Sequence, residues 1–345
     1  MRILAAHPGP NFSVHDCYVG WVEALRGLGQ KVVEFNLSER LTFYDAALLA
    51  VDESQSRFRK ALTAEQATGL AVNGLYAALY KVRPDVLFAV SAFFYPTELL
   101  DLARAYGTRI VILHTESPYE DGRQLKLAEH ADLNLINDPT NLEAFQRVAP
   151  TVYVPHSYRP ALHHPGRADP KQEADLAFIG TGYASRIKFL EAMDLTGLDV
   201  LLAGNWKLLG GDSPLRGYVA HDPEECLDNQ QTADIYRSAS VGLNLYRREA
   251  DESHLVQGWS CGPREIEMAA CGMFFLREPR PEGDALFPML PTFTSPGEAA
   301  EALRYWLHRP DKRRELALQA RAAVAGNTFT NRAAEVLSLL NAKEN

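Results

Sequence analysis

The sequence holds four cysteines in 345 residues: Cys17, Cys226, Cys261 and Cys271. They are too few and too scattered for a disulfide scaffold, and none stands in a Cys-x-x-Cys pair or beside a histidine set. That spacing excludes a zinc ribbon or a thioredoxin-like site and predicts a reduced, cytoplasmic chain. Long apolar runs are also missing, so no membrane-spanning helix is expected. The first seven residues turn polar too soon for a signal peptide. Positive charge is not in excess: 35 Lys and Arg against 44 Asp and Glu leave a formal charge of −9. Such a balance gives no general attraction to nucleic acid or anionic lipid. No short repeat or low-complexity segment appears. With 46% hydrophobic and 23% charged residues, disorder and collagen-like structure are excluded. The length exceeds what one core comfortably fills, so two domains are expected.

What the sequence does contain is alternation. Short apolar, β-branched runs at 3–6, 31–35, 85–90, 109–113, 133–136 and 151–154 are separated by helical stretches such as 19–28. Continuous apolar runs of that length suit strands buried on both faces of a parallel sheet. The interval 41–81 is long and mostly helical in pattern. A proline-rich polar stretch, 156–170, reads as a linker, with His163 and His164 on its surface. Alternation restarts with runs at 175–179, 199–202, 241–245 and 273–276, and 299–340 is helical with a break near Gly326. The pattern predicts an α/β protein of two Rossmann-like domains, 1–155 and 156–330. A carboxyl-end cleft is where ligands bind in such sheets.

Three segments can carry chemistry. In the first, the run 175–179 leads through Gly180, Thr181, Gly182 and Tyr183 into a helix that opens with Ser185, Arg186 and Lys188. Ser185 is placed to cap the helix. Two cations in a first helical turn oppose the macrodipole, and the exposed N–H groups suit a phosphate. The alternative is a pair of solvated cations beside an ordinary turn. Ser185 stands where a third glycine would complete a nicotinamide-type fingerprint. The second segment is a helix with Pro263 at its first position and Gly272 as its cap, carrying Arg264 and Glu267 on one face. Glu267 can accept from the two hydroxyls of a ribose, or the pair can be a surface ion pair worth under about 1 kcal/mol. The third lies in the first half, where strand ends present His114, Glu116 and Asp121, and, after the first run, His7, Pro10, Asn11, His15 and Asp16. Histidine and carboxylates in such loops suit acid–base work or binding of sugar hydroxyls; the alternative for each histidine is a turn or backbone contact. Arg247, Arg248 and the run Lys312–Arg314 read as solvated surface.

Together these segments resemble a nucleotide-sugar-dependent glycosyltransferase of GT-B fold, close to the CgeB-like (spore maturation) group. The resemblance rests on 175–183 with Arg186, on 232–244 and on 264–272, and less specifically on 116–121 and Val154–His156. It implies a donor domain over 156–330 and an acceptor-side domain over 1–155, with a last helix of about 331–345 crossing back to the first. Donor contacts would come from Gly180, Thr181, Gly182, Tyr183, Arg186, Lys188, Asn205, Asn244, Arg264 and Glu267. His15, Asp16, His114, Glu116 and Asp121 are the acid–base candidates. Many retaining relatives carry a further glutamate eight positions before the ribose glutamate; Trp259 stands there in this chain. The resemblance implies transfer from a nucleoside diphosphate sugar, UDP-sugar foremost, with retention, no protein nucleophile, no cofactor and no metal. The acceptor stays open among a glycan, a lipid carrier, a protein, a small molecule and a hydroxymethylated DNA base. A sugar-nucleotide epimerase and a non-catalytic nucleotide-sugar-binding protein are the rival readings.

Overall fold

The computed structural model describes residues 1–9, 14–44, 63–250 and 253–342. Two compact units emerge: Met1–Val154 with Val336–Asn345, and Pro155–Glu335. The expected strand runs become strands. In the first unit β1 (Arg2–Ala6), β2 (Lys31–Phe35), β3 (Val86–Val90), β4 (Arg109–His114), β5 (Leu133–Ile136) and β6 (Thr151–Tyr153) form one sheet in the order β2-β1-β3-β4-β5-β6. Every pair is parallel. All five residues of β3 are buried, which is why its sequence is an unbroken apolar run rather than an alternating one. Leu4 pairs with Leu87 and Leu87 with Ile110, all fully buried.

Helices α1 (His15–Gly27), α2 (37–44), α3 (Ala64–Val82), α4 (Thr97–Ala105), α5 (Asp121–Ala128) and α6 (Leu142–Val148) join these strands. The expected helical interval 41–81 thus covers the end of α2 and most of α3; 45–62 lie outside the described residues, as do Pro10 and Asn11. Thr63 and Gln66 close a reciprocal capping box at the start of α3. α1 begins earlier than the periodicity indicates. Its buried face is Tyr18, Trp21, Val22 and Leu25, so the polar opening turn carries no apolar signal. His15 and Asp16 therefore sit on that opening turn, not in a loop.

In the second unit β7 (Leu176–Ile179), β8 (Val200–Ala203), β9 (Val241–Asn244) and β10 (Phe275–Arg277) form a parallel sheet in the order β10-β9-β7-β8. Among its helices are α7 (Ala184–Glu191), α8 (Asn229–Ser238), α9 (Pro263–Cys271), α10 (Pro281–Leu286), α11 (Pro296–Leu307), α12 (Pro310–Ala323) and α13 (Phe329–Ala342). The core gathers Phe178, Trp206, Ile266, Phe275, Phe287 and Leu303, with Phe178 and Trp206 in an edge contact at 5.8 Å. The end of α13 groups with the first unit, where Arg109 at the head of β4 donates to the Leu340 carbonyl at 2.7 Å. His163 is not on the surface: it is buried, with Nδ1 accepting from the Arg159 N–H at 3.2 Å. A histidine that closes a local turn in this way is invisible to composition.

Each sheet has one place where successive connections leave in opposite directions. In the first it lies between β1 and β3, and in the second between β7 and β9. Crevices at the carboxyl ends of such strands are where open α/β sheets bind ligands.

Candidate functional site

β7 ends at Ile179, and the chain reaches α7 through Gly180–Tyr183. The glycines have a packing cause. A Cβ on Gly182 would meet buried Trp206 at 2.5 Å, and one on Gly204, whose φ is +114°, would meet the Gly180 carbonyl oxygen at 2.5 Å. Two loops are thereby pressed together, with Gly182 N–H donating to the Asn205 carbonyl at 2.8 Å and Gly180 N–H to Ala203 at 2.9 Å. The Asn205 side chain serves the same turn, donating to the Glu224 carbonyl and accepting from Lys207 N–H.

Ser185 is not the cap of α7. That position belongs to Tyr183, which makes no side-chain cap bond. Ser185 lies inside the helix, and its N–H and hydroxyl both donate to the Glu249 carboxylate, at 3.1 and 3.2 Å. Arg186 is half-buried and donates through Nε to the Leu245 carbonyl at 3.0 Å and through Nη1 to Thr181 at 3.1 Å. It thus ties the loop after β7 to the loop after β9, across the switch point. Arg247, half-buried rather than solvated, lies over the Tyr183 ring at 5.1 Å, and Arg186 lies over the same ring at 5.2 Å. Lys188 is exposed.

α9 has Pro263 at its first position and ends on Gly272 at φ +80°, as the sequence pattern requires. Arg264 donates to Glu267 at 2.6 Å, and the Tyr236 hydroxyl reaches the same oxygen at 3.5 Å. Glu267 is buried, so the solvated surface pair is ruled out. A more deeply buried acid lies beside it. Glu265 accepts from Gly262 N–H and from the Tyr246 hydroxyl, each at 2.6 Å. Burial pushes its carboxyl up to about 7, against the pull of those bonds and of Arg277 and Arg280. Its other oxygen, Oε1, and the Nδ2 of buried Asn244 have no hydrogen-bond partner. The Arg280 guanidinium covers the Tyr246 ring at 3.8 Å. Glu278 holds Tyr246 N–H at 2.6 Å and Arg248 at 2.5 Å. Glu249, Glu265, Tyr246 and Glu278 escape the sequence reading. One signal was available for Glu265, an acid three residues after Gly262 at a helix start.

The first unit has its own cluster at the end of β1. His7 Nε2 and His15 Nδ1 are 3.0 Å apart, and His7 Nδ1 accepts from Gly9 N–H at 3.1 Å. The Tyr18 ring meets His7 edge-on at 4.8 Å, and its hydroxyl donates to Glu34 at 3.1 Å. Burial, then the neighbouring His15, lowers His7 to about 4. His114 is buried: it is 1% exposed, bonded to Asn134 at 2.8 Å and packed on Phe145. Burial lowers it to about 4. It is a core histidine, which corrects the acid–base role expected for it. Asp121 is buried at the start of α5 and bonded to Gln124; burial raises it to about 7. Glu116 is half-buried, its N–H donating to Gln124 Oε1 at 3.3 Å. One glutamine thus joins Glu116 and Asp121, while His15 meets His7 after β1 and Asp16 follows it on the opening turn of α1.

Residues 186–338 match the family model described as glycosyl transferase-like. No curated protein matches the chain. Among solved structures, sucrose-phosphate synthase from Thermosynechococcus elongatus superposes with a TM-score of 0.65 at 14% identity, over 99% of this chain and 98% of that one. The fold is GT-B. A trehalose-6-phosphate synthase, studied with bisubstrate glycomimetics for glycosyl transfer with retention, gives a TM-score of 0.62 at 14% identity over 99% of both chains. Anabaena HepE in complex with UDP-glucose gives 0.58 at 13% identity, over 98% of this chain and all of that one. The span 186–338 begins at Arg186 and takes in Glu249, Arg264, Glu265 and Glu267.

Proposed function

We propose that the protein is a glycosyltransferase of the CgeB-like group, moving a sugar from a nucleoside diphosphate sugar to an acceptor hydroxyl. The second unit holds the donor and the first unit serves the acceptor. One observation carries this reading: Glu267, buried and fixed by Arg264 at 2.6 Å, lies on the first turns of a helix inside the glycosyl transferase-like span. A carboxylate fixed there has oxygen lone pairs for both ribose hydroxyls. As the glycosidic bond breaks, negative charge grows on the diphosphate. The opening N–H groups of α7, with Arg186, Lys188 and Arg264, supply fixed positive potential for it. Asn244, with its unpartnered buried Nδ2 at the end of β9, offers the donor one more hydrogen bond.

UDP-glucose in HepE favours a UDP-sugar here, and the retention studied in the trehalose-6-phosphate synthase favours retention. The acceptor would then attack on the leaving-group face and give its proton to a phosphate oxygen. An inverting course would need His15, Asp16 or Asp121 as base. With cationic side chains and helix N–H groups facing the diphosphate, no bound metal is needed, so turnover should survive dialysis against EDTA. The acceptor is a hydroxyl of a glycan, a protein, a small molecule or a hydroxymethylated DNA base. The test is a thermal-shift screen of nucleoside diphosphate sugars, followed by transfer to candidate acceptors. A donor at 100 times its Kd should add about 2.7 kcal/mol of stability. No shift with any nucleotide sugar, or turnover of the donor to an epimer without acceptor, would overturn the reading.

A further inference from the structure

We propose that Glu249 competes with the donor's diphosphate for the opening of α7, so that donor binding must displace this carboxylate. The inference rests on the donor reading above and deepens it. Glu249 follows β9 and Ser185 follows β7, and these are the two strands that flank the switch point of the second sheet. Across that crevice one carboxylate takes both the N–H and the hydroxyl of Ser185, from 64 positions along the chain, and it also accepts from Arg248 N–H at 3.1 Å. A carboxylate and a phosphate oxygen want the same thing at a helix start, namely N–H donors and positive potential. They cannot share it. Burial works against the Glu249 charge, yet its bonds to Ser185 and to the backbone N–H groups of Glu249 and Arg248 together outweigh it and hold the carboxyl below its usual range, so the group is an anion at neutral pH.

Two acids meet Arg248, Glu249 after β9 and Glu278 after β10, and they are held to different degrees. Glu278 is the fixed one, its side chain 10% exposed and clasped by Arg248 and Tyr246 N–H. Glu249 is half-buried. Two cations, Arg186 and Arg247, lie over the ring of Tyr183, the capping residue of α7. An arriving diphosphate therefore meets cations already in place and, among the described residues, Glu249 as the like charge on Ser185. A site occupied in this way binds with an affinity reduced by the fraction of time it is blocked.

The experiment titrates UDP, inorganic pyrophosphate and uridine into the native protein and into Glu249→Gln by calorimetry. The glutamine keeps the volume and one acceptor but removes the competing charge. Expected is a three- to tenfold lower Kd for UDP and pyrophosphate and an unchanged Kd for uridine, which carries no phosphate. Hydrogen exchange on the native protein gives a readout independent of the variant's folding. UDP should raise exchange at Arg248, whose N–H loses its acceptor, and leave Ser185 protected. UDP binding equally to both proteins, or more weakly to Glu249→Gln, overturns the displacement and leaves the donor reading standing. So does unchanged or slowed exchange at Arg248 with UDP bound. If neither folded protein binds UDP, the donor reading fails and this inference falls with it.

Discussion

At the start of α7 the acceptor that meets the helix's N–H groups comes from 64 residues along the chain, whereas at the start of α9 the helix supplies its own, three residues on. Glu249 is half-buried and held as an anion; Glu265 is fully buried and raised to about 7. Both satisfy the same orphan donors that every helix start exposes. The difference is reversibility. A carboxylate on a loop can be exchanged for a ligand, whereas one locked beneath Tyr246 and Gly262 is part of the scaffold. The α9 acid fixes the turn from which Glu267 projects; the α7 acid guards a place where an anion is wanted.

The largest effect that tests this contrast should come from Glu265. Glu265→Ala leaves the Tyr246 hydroxyl and Gly262 N–H without their shared acceptor, and we expect a loss of about 3 kcal/mol in urea unfolding. Glu265→Gln should cost less. The pH dependence has a definite sign. A carboxyl raised to about 7 in the folded chain holds its proton where the unfolded chain has released it, so its contribution falls as pH climbs from about 4.5 to about 7 and is flat above. The native-minus-variant difference isolates this slope. It must be taken as a difference because Asp121, also at about 7, slopes the same way. His7 and His114, lowered to about 4, slope oppositely between about 6.5 and 4. A comparable loss from Glu249→Gln would erase the distinction between the two openings.

Next comes Glu267→Gln, with an expected cost of about 1.5–3 kcal/mol in UDP affinity and a smaller loss for 2′-deoxy-UDP, because the missing contact is shared. Additive losses in that cycle would assign Glu267 to the fold alone, as the partner of Arg264 and Tyr236.

The inner strands were readable in the sequence because a parallel sheet buried on both faces leaves unbroken apolar runs: 85–90 contains β3, whose five residues are all apolar and all buried. The ends of α9 were equally readable, since Pro263 and Gly272 are chosen by backbone geometry that nothing distant alters. What could not be read is what crosses between loops. Ser185 has the chemistry of a cap, yet its partner is Glu249, and only the adjacency of β7 and β9 creates that bond. His114 looked like an acid–base group at a strand end; its neighbours Asn134 and Phe145 come from β5 and α6 and make it core. The glycines at 180 and 182 suggested a phosphate loop, and their tight contacts with Gly204 and Trp206 are equally a matter of tertiary packing.

Arg186→Ala separates the two roles that meet in one side chain. Its loss takes one donor from each of the Leu245 and Thr181 carbonyls and unties the loops after β7 and β9, so about 1–2 kcal/mol of stability should go with it. If the guanidinium also faces the diphosphate, UDP affinity falls further than uridine affinity. Equal losses for the two ligands would make Arg186 a tie between loops and nothing more.

Lys188→Ala should have the smallest effect, and it sharpens the comparison from the other side. Lys188 is exposed in the last turn of α7 rather than its first, where a cation is favourable to the helix dipole by a few tenths of a kcal/mol. Removing it should therefore leave the protein as stable as before or slightly less so. Its value to the donor would be long-range attraction through water, worth about 0.5 kcal/mol at low ionic strength and fading as salt is raised. The measurement is the UDP Kd of native and variant proteins at low and high salt, with Glu249→Gln in parallel. Charge acting through solvent converges at high salt, whereas the Glu249 effect, made by direct hydrogen bonds at the helix start, should persist. If the Lys188 difference survives salt as well, the lysine touches the phosphate directly, and the opening of α7 holds a second built contact beside Ser185.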